Sequence, residues 1–322
     1  MRKYFNVQDI SVYRSELMGW SILWIMMLHF TFNQIKPLGF VAQYGFAGVD
    51  IFMLVSGLGI YYSLHSNRNI LQFYKKRLLR IFPTYYIFGL FASILLYHDS
   101  ILGYLYRYST IGFWFGGIFW EWYIPSIVVL YLLSPIFKYM LDKRLFILLF
   151  FLCLTFLFIT YYIIDQGEIL DRVHFFFLCR ISTFVLGMVC AYWIKNNIST
   201  KYFYAFLLGG IPLFGWLFPQ HHQLYYYKYF SLMFLLPLFT LVIILISKHI
   251  KHLNPIIRMI GNASLEIYLV QSLFFYVIII EGLITIPPMW HDTITLFLIL
   301  FCSIIGITFH WGINKCFSLT AS

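Results

Sequence analysis

Residues 14–30 read Arg14-Ser15-Glu16-Leu17-Met18-Gly19-Trp20-Ser21-Ile22-Leu23-Trp24-Ile25-Met26-Met27-Leu28-His29-Phe30, a run that leaves a charged edge, turns largely apolar and ends on a histidine. A helix needs about 17–25 apolar residues to cross ~30 Å of hydrocarbon, and this run is the first of its kind in the chain. An ionisable group so far inside an apolar span loses hydration, so His29 reads first as a functional residue. A buried imidazole stays neutral, and in that state it can take a proton from a hydroxyl near pH 7. The competing reading is a packing histidine bonded to a neighbouring carbonyl.

The rest of the composition fits that beginning. Of 322 residues, 61% are hydrophobic, 22% aromatic and only 11% charged, too little polar surface to coat a soluble globule. The chain is predicted to be all-α, a polytopic membrane bundle of about ten transmembrane helices. Apolar runs of spanning length fall at roughly 17–34, 43–64, 81–97, 113–137, 145–164, 174–194, 202–218, 225–247, 263–282 and 293–313. No repeat, low-complexity linker or soluble domain interrupts them, so residues 1–322 read as one transmembrane domain.

A net charge of +10 invites a nucleic-acid reading, but its distribution argues for a membrane. With the N-terminus in the cytoplasm, Lys36, Arg107 and Arg172 fall outside and Arg180 and Lys228 fall within spans; the other seventeen of the 22 lysines and arginines lie inside. That bias is the positive-inside pattern of an even number of helices with both termini cytoplasmic, and it points to anionic lipid, with no nucleic-acid partner. Cys153, Cys179, Cys190, Cys302 and Cys316 form no Cys-x-x-Cys pair, and neither a disulfide framework nor a metal site is expected. Asp9 and Glu16 interrupt what would otherwise resemble a signal peptide, so the first apolar run is an uncleaved helix.

After a short outer loop over 33–42, the second span carries Asp50 and Ser56-Gly57. Counting ~1.5 Å per residue puts His29 about 18 Å above the inner edge and Asp50 about 10 Å below the outer one, levels that match. Asp50 is then a candidate orienter for the imidazole, with a helix cap or a different cation partner as alternatives. Tyr74-Lys75-Lys76-Arg77-Leu78-Leu79-Arg80 precedes the third span. Lys75 and Lys76 suit lipid headgroups, whereas Arg77 and Arg80, three apart on one face, suit bidentate phosphate binding.

The order of these motifs resembles the membrane acyltransferase-3 family. It carries Arg14 through Gly19 to His29 in the first helix, Gly48-Val49-Asp50-Ile51-Phe52 with Ser56-Gly57 in the second, and Arg77-Leu78-Leu79-Arg80-Ile81-Phe82-Pro83 entering the third. Later stretches agree: Trp122-Tyr123-Ile124-Pro125 through Leu133-Ser134-Pro135, Arg180 through Gly187, and Gly261-Asn262-Ala263-Ser264-Leu265-Glu266-Ile267-Tyr268-Leu269. The resemblance spans nearly the whole chain and implies a ten-helix enzyme that acylates hydroxyls of glycans such as bacterial surface polysaccharides. It implies His29 as the essential histidine and Arg77 and Arg80 as the donor-binding arginine pair.

Two positions depart from the family pattern. Met18 stands where many relatives have an arginine, with Arg14 as the substitute, and Gln271 stands where a histidine is frequent, so no proton transfer is expected at 271. Arg14, Glu121 and Arg180 are candidate substrate contacts. Glu121, between Trp120 and Trp122, is either an aromatic-belt residue or an acceptor-site carboxylate, and Arg180 pairs with a carboxylate or a substrate oxygen. Tyr225 through Tyr229 reads as an interfacial anchor, and His221, His222, His249 and His252 as loop and interface residues without metal-ligand partners.

The expected reaction carries an acyl group, acetyl first, from cytoplasmic acyl-CoA as co-substrate to a glycan or lipid-linked sugar in the plasma (inner) membrane of a bacterium. No cofactor is bound permanently. His29 acts as base with Asp50 behind it, or as the carrier of an acyl-histidine intermediate. The sequence shows no serine-esterase-type domain, so the chain acylates its acceptor directly or hands the group to a separate extracytoplasmic acyl-accepting protein. A transporter of a lipid-linked sugar is the competing class, but Pro83, Pro125 and Pro212 form no paired set of broken helices.

Overall fold

The computed structural model describes residues 5–30, 35–66, 69–116, 122–165, 172–219, 230–275 and 290–317. Among them the regular structure is helical throughout, as a chain in hydrocarbon requires when every backbone N–H and C=O must be satisfied within its own segment. The α-helices are α1 (Gln8–Val12), α2 (Arg14–His29), α3 (Lys36–Ala42), α4 (Ala47–Ser66), α5 (Ile70–Ala92), α6 (Ile101–Tyr108), α7 (Ile111–Gly116) and α8 (Tyr123–Asp142). They continue as α9 (Phe146–Asp165), α10 (Arg172–Lys195), α11 (Lys201–Leu217), α12 (Leu236–His249), α13 (Asn254–Asn262), α14 (Ser264–Phe275) and α15 (His291–Phe317).

Five helical stretches among the described residues are long and apolar enough to cross a membrane: Ala47–Ser66, Tyr123–Asp142, Phe177–Lys195, Phe230–His249 and His291–Cys316. The other expected spans correspond to helices that are shorter, such as the 16-residue α2, or less apolar. The expected fourth span is displaced: Ile111–Gly116 forms its own short helix and the long one runs from Tyr123 to Asp142. The outer loop expected over 33–42 holds a helix from Lys36.

Close approach between helices rests on glycine. Gly57 of α4 lies against the Phe184 carbonyl of α10, and Gly187 of α10 lies against the Leu54 carbonyl of α4; a Cβ at either position would overlap the facing backbone. Gly19 and Gly261 do the same for α2 against α13, facing Ile257 and Ser15. Without a hydrophobic force between helices in lipid, such small-residue contacts let dispersion hold the bundle. Leu17, Ile22, Met26, Ile51, Leu54, Leu58, Phe184 and Met188 fill the centre, while Phe150, Phe151 and Phe158 of α9 face outward.

The same contacts set the register of α2 against α4. Gly45 packs on Trp24 and Leu28, and Gly48 on Ser21 and Ile25. Asp50, two residues further along the antiparallel α4, therefore lies near the level of Ser21 and Ile22, roughly 10 Å from the level of His29 at ~1.5 Å per residue. The matching depth expected for His29 and Asp50 does not hold. Residue counting assumed that the second span starts level with the end of the first; instead α3 and the turn after it drop α4 toward the Arg14 end of α2.

Candidate active site

A cavity of about 170 Å³ follows α2 from one end to the other. His29, Leu28 and Ile25 line one end with Phe46 and Val49; Arg14, Arg77 and Arg80 line the other; Ser56, Tyr123, Tyr131 and Tyr268 lie in its walls. Fifteen residues of helix separate Arg14 from His29, about 22 Å. Three arginines and a histidine from two helices, α2 and α5, thus share one space.

His29 is the last residue of α2. The chain just beyond it is tied down by Thr295, whose hydroxyl donates to the Phe30 carbonyl at 2.8 Å. The imidazole lies beside the Phe275 ring, 4.9 Å between centroids, and its Nδ1 stands 2.9 Å from Oε1 of Gln271 on α14. An amide oxygen can only accept, so Nδ1 carries the hydrogen and Nε2 keeps the lone pair. That is the tautomer a general base needs.

Asp50 is not part of this pair. It is 1% exposed and faces Arg180 of α10, itself 0% exposed, with Oδ1 3.2 Å from Nε. The Arg180 guanidinium also lies 5.7 Å from the Trp122 ring and 5.9 Å from the Phe46 ring, so two cavity-lining aromatics screen it. Gln271 occupies the place beside Nδ1 that was expected of Asp50, and Asp50 takes the alternative expected for it, a different cation. The physical reason is the register: Asp50 lies too far along α4 to reach His29, whereas an unpaired carboxylate at that depth would be costly without Arg180. Arg180 pairs with a carboxylate, as expected. Glu121 lies outside the described residues.

At the basic end, Asn69 caps α5 by accepting from the Leu71 and Gln72 amides, which starts the helix in time to place Arg77 and Arg80 on one face toward α2 and α14. Arg80 Nη1 is 3.3 Å from Glu266 Oε1 and Nη2 donates to the Asn262 carbonyl at 3.2 Å. Arg77 Nη2 donates to the Gly59 carbonyl at 3.4 Å. Arg14 lies over the same glycine, where an added Cβ would come within 2.8 Å of its Nη2.

Four positions at this site are not marked out by the sequence. Gln271 was noted only for the histidine it replaces, although a polar residue inside the apolar run 264–275 was a usable signal. Glu266, fully buried, joins Arg80 to His310 of α15, whose Nδ1 is 3.2 Å from Oε2. Nothing in the spacing of residues 80, 266 and 310 announces that cluster. Tyr123 and Tyr131 looked like ordinary aromatic content, yet both line the cavity.

Among the described residues, an all-helical protein with several helices of spanning length, a histidine held by Gln271 at one end of an internal cavity and arginines at the other defines the class: a membrane protein with a polar site enclosed by its helices. The chain belongs to the acyltransferase-3 family, whose profile, described as an acyltransferase domain, matches residues 17–309. It is also similar to the provisionally named acetyltransferase ORF330 of Acidianus two-tailed virus, 26% identical over 212 residues. That similarity covers 60% of this chain and 62% of the viral protein, less than two thirds of the relative's length. No solved structure matches the chain. Family and site together support acyl transfer as the general chemistry.

Proposed function

We propose that this protein transfers an acyl group, acetyl first among them, from cytoplasmic acyl-CoA to a hydroxyl of a glycan or lipid-linked sugar. The observation that carries the reading is the cavity that joins His29 to Arg14, Arg77 and Arg80. Guanidinium forks suit the phosphates of the donor, and the narrow, mostly apolar channel suits the flexible pantetheine arm that delivers the thioester to His29. In this reading ten helices span a cell membrane, bacterial by the likeness of its motifs, with both termini in the cytoplasm. The acceptor comes from the opposite side or is a separate extracytoplasmic acyl-accepting protein.

His29 Nε2 takes the proton of the acceptor hydroxyl as its oxygen attacks the thioester carbonyl. The C–S bond breaks, the ester C–O bond forms, and the imidazolium returns its proton to the leaving thiolate. Gln271 holds Nδ1–H throughout. A positioned base of this kind is typically worth ~10²–10⁴-fold. In the two-step variant Nε2 itself attacks the thioester and the acyl-imidazole then passes its group to the acceptor.

The test is transfer of labelled acetyl from acetyl-CoA into surface glycan by membranes holding matched amounts of wild type, His29→Ala or Arg77→Ala. Label in glycan that both substitutions abolish supports the reading. Transfer that persists without His29 overturns the mechanism, and absence of transfer by wild type to every glycan fraction overturns the donor or acceptor.

A further inference from the structure

Glu266 is a carboxylate with no exposed surface that the proposed chemistry leaves unused. Its two oxygens are divided between helices: Oε1 accepts from Arg80 Nη1 of α5 at 3.3 Å, and Oε2 faces His310 Nδ1 of α15 at 3.2 Å. The first contact is a hydrogen bond. The second stops short of one, since among the described residues neither Oε2 nor Nδ1 has a hydrogen-bond partner. On the far side of the imidazole, Asn314 Nδ2 stands 3.0 Å from Nε2. An amide nitrogen only donates, so Nε2 is the acceptor there and Nδ1 carries the hydrogen toward Glu266.

Asparagine suits either charge state of such a ring. Turned as it is, its amide group donates to the lone pair of a neutral imidazole; turned over, its Oδ1 accepts from the Nε2–H of an imidazolium. The His310 side chain is 16% exposed, so the ring is not sealed off from protons, and an imidazole ordinarily changes charge between about pH 5 and 8. The other charges on the helices packed against α15 are engaged elsewhere or exposed. Arg258 of α13 pairs with Glu16 of α2 at 2.6 Å, Arg77 of α5 donates to the Gly59 carbonyl, and Arg14 of α2 lies against Gly59. Lys75 and Lys76 of α5 are exposed, as are Lys315 and Cys316 on α15 itself.

Glu266 thus serves two groups, a guanidinium at the mouth of the cavity and an imidazole behind it. An anion that draws Arg80 away from Oε1 strands a buried carboxylate, which is a costly state. A proton on His310 Nε2 relieves it: the ring becomes a cation, Nδ1–H closes on Oε2, and Asn314 turns its oxygen to Nε2–H. We propose that His310 is a positioning residue that acts on Arg80 through Glu266, and that it takes up a proton from water when Arg80 engages an anionic ligand. The anion is taken from the acyl-CoA reading, on which the proposal rests. Linkage runs both ways, so acid within the imidazole range tightens the ligand by releasing Arg80 to it.

The experiment is titration calorimetry of the purified full-length chain in lipid nanodiscs near pH 7, in two buffers of different ionisation enthalpy, with CoA and phosphate-free pantetheine as probes. The difference in heat between the buffers counts the protons taken up. Wild type takes up more protons per CoA bound than His310→Gln or Glu266→Gln, since one variant lacks the proton acceptor and the other the carboxylate that calls for it. Titration of the phosphate of CoA itself is common to all three and cancels. Pantetheine gives wild type no such excess. From about pH 8 to about pH 6, the affinity of wild type for CoA rises roughly fivefold or more relative to that of His310→Gln, whereas a purely structural role would change affinity alike at both pH values. Equal uptake by wild type and His310→Gln overturns the linkage while CoA binding stands. Should His310→Gln not fold, wild-type uptake by Glu266→Gln overturns it alone. If wild type binds CoA no more tightly than pantetheine, the donor reading falls and the linkage with it.

Discussion

Nδ1 of His29 stands 2.9 Å from Oε1 of Gln271, across the joint between α2 and α14. The contact selects one tautomer and one ring orientation, and it does so with a neutral partner. Gln271→Ala removes the orienting acceptor while leaving the base in place. If the proposed transfer from acetyl-CoA holds, the expected outcome is a fall in kcat of roughly ten- to a hundredfold with little change in KM for that donor, since misplacing the base would cost rate and leave the remote end of the cavity intact. Steady-state kinetics of the variant in membranes checks it. An unchanged kcat would show that His29 needs no support from α14.

The Asp50–Arg180 pair predicts a stability effect. Removing one partner strands the other charge in the bundle, so Asp50→Asn is expected to cost about 3 kcal/mol and to lower the melting temperature in detergent. Replacing both with leucine recovers much of the loss, because no unpaired charge is left. Should Asp50→Asn melt like wild type yet lose transfer, Asp50 acts in the chemistry and the pair is not merely structural.

Glycine positions divide into two groups. Gly187→Ala is expected to destabilise by about 1–3 kcal/mol, because a methyl there meets the Leu54 backbone of α4, which cannot move aside as a side chain could. Gly312→Ala on α15, where nothing lies within 4 Å, is expected to be neutral. Parallel thermal melts of the two variants decide whether the α4–α10 contact depends on that missing Cβ.

Acidification should act first outside the spans. Arg107 donates to both carboxylate oxygens of Asp99, Nε to Oδ2 at 2.8 Å and Nη2 to Oδ1 at 3.2 Å; this holds the Asp99 pKa below the ordinary carboxylate value, with the Ser93 hydroxyl helping. A depressed folded-state pKa means that the unfolded chain binds the proton more readily. The stabilisation is therefore present in full above the unfolded value of about 3.9, and it is lost as pH falls from there through the folded value. Protection of the α6 amides, corrected for the intrinsic pH dependence of exchange, should fall down this range in wild type and depend less on pH in Asp99→Asn. Equal pH dependence in the two proteins would remove Asp99 as the cause.

Much of this protein was legible before any tertiary contact was known. Apolar runs of spanning length mark the helices because hydrocarbon tolerates no unsatisfied backbone, and the asymmetry of lysine and arginine predicts an orientation because anionic leaflets and membrane insertion sort positive charge. His29, Arg77 and Arg80 stood out for the same reason: ionisable groups in or beside apolar helices need a cause. Which of them meet was decided elsewhere. Counting residues gives a depth along one helix axis, but the partner of a side chain depends on the rotation and register of helices far apart in sequence, set here by glycine contacts such as Gly48 on Ser21 and Gly261 on Ser15. The sequence by itself determined a membrane bundle with a histidine and a basic mouth. Only the tertiary structure paired Asp50 with Arg180, gave His29 to Gln271, and set Arg80 against Glu266, because each of those choices turns on a few ångströms of helix packing that no local pattern encodes.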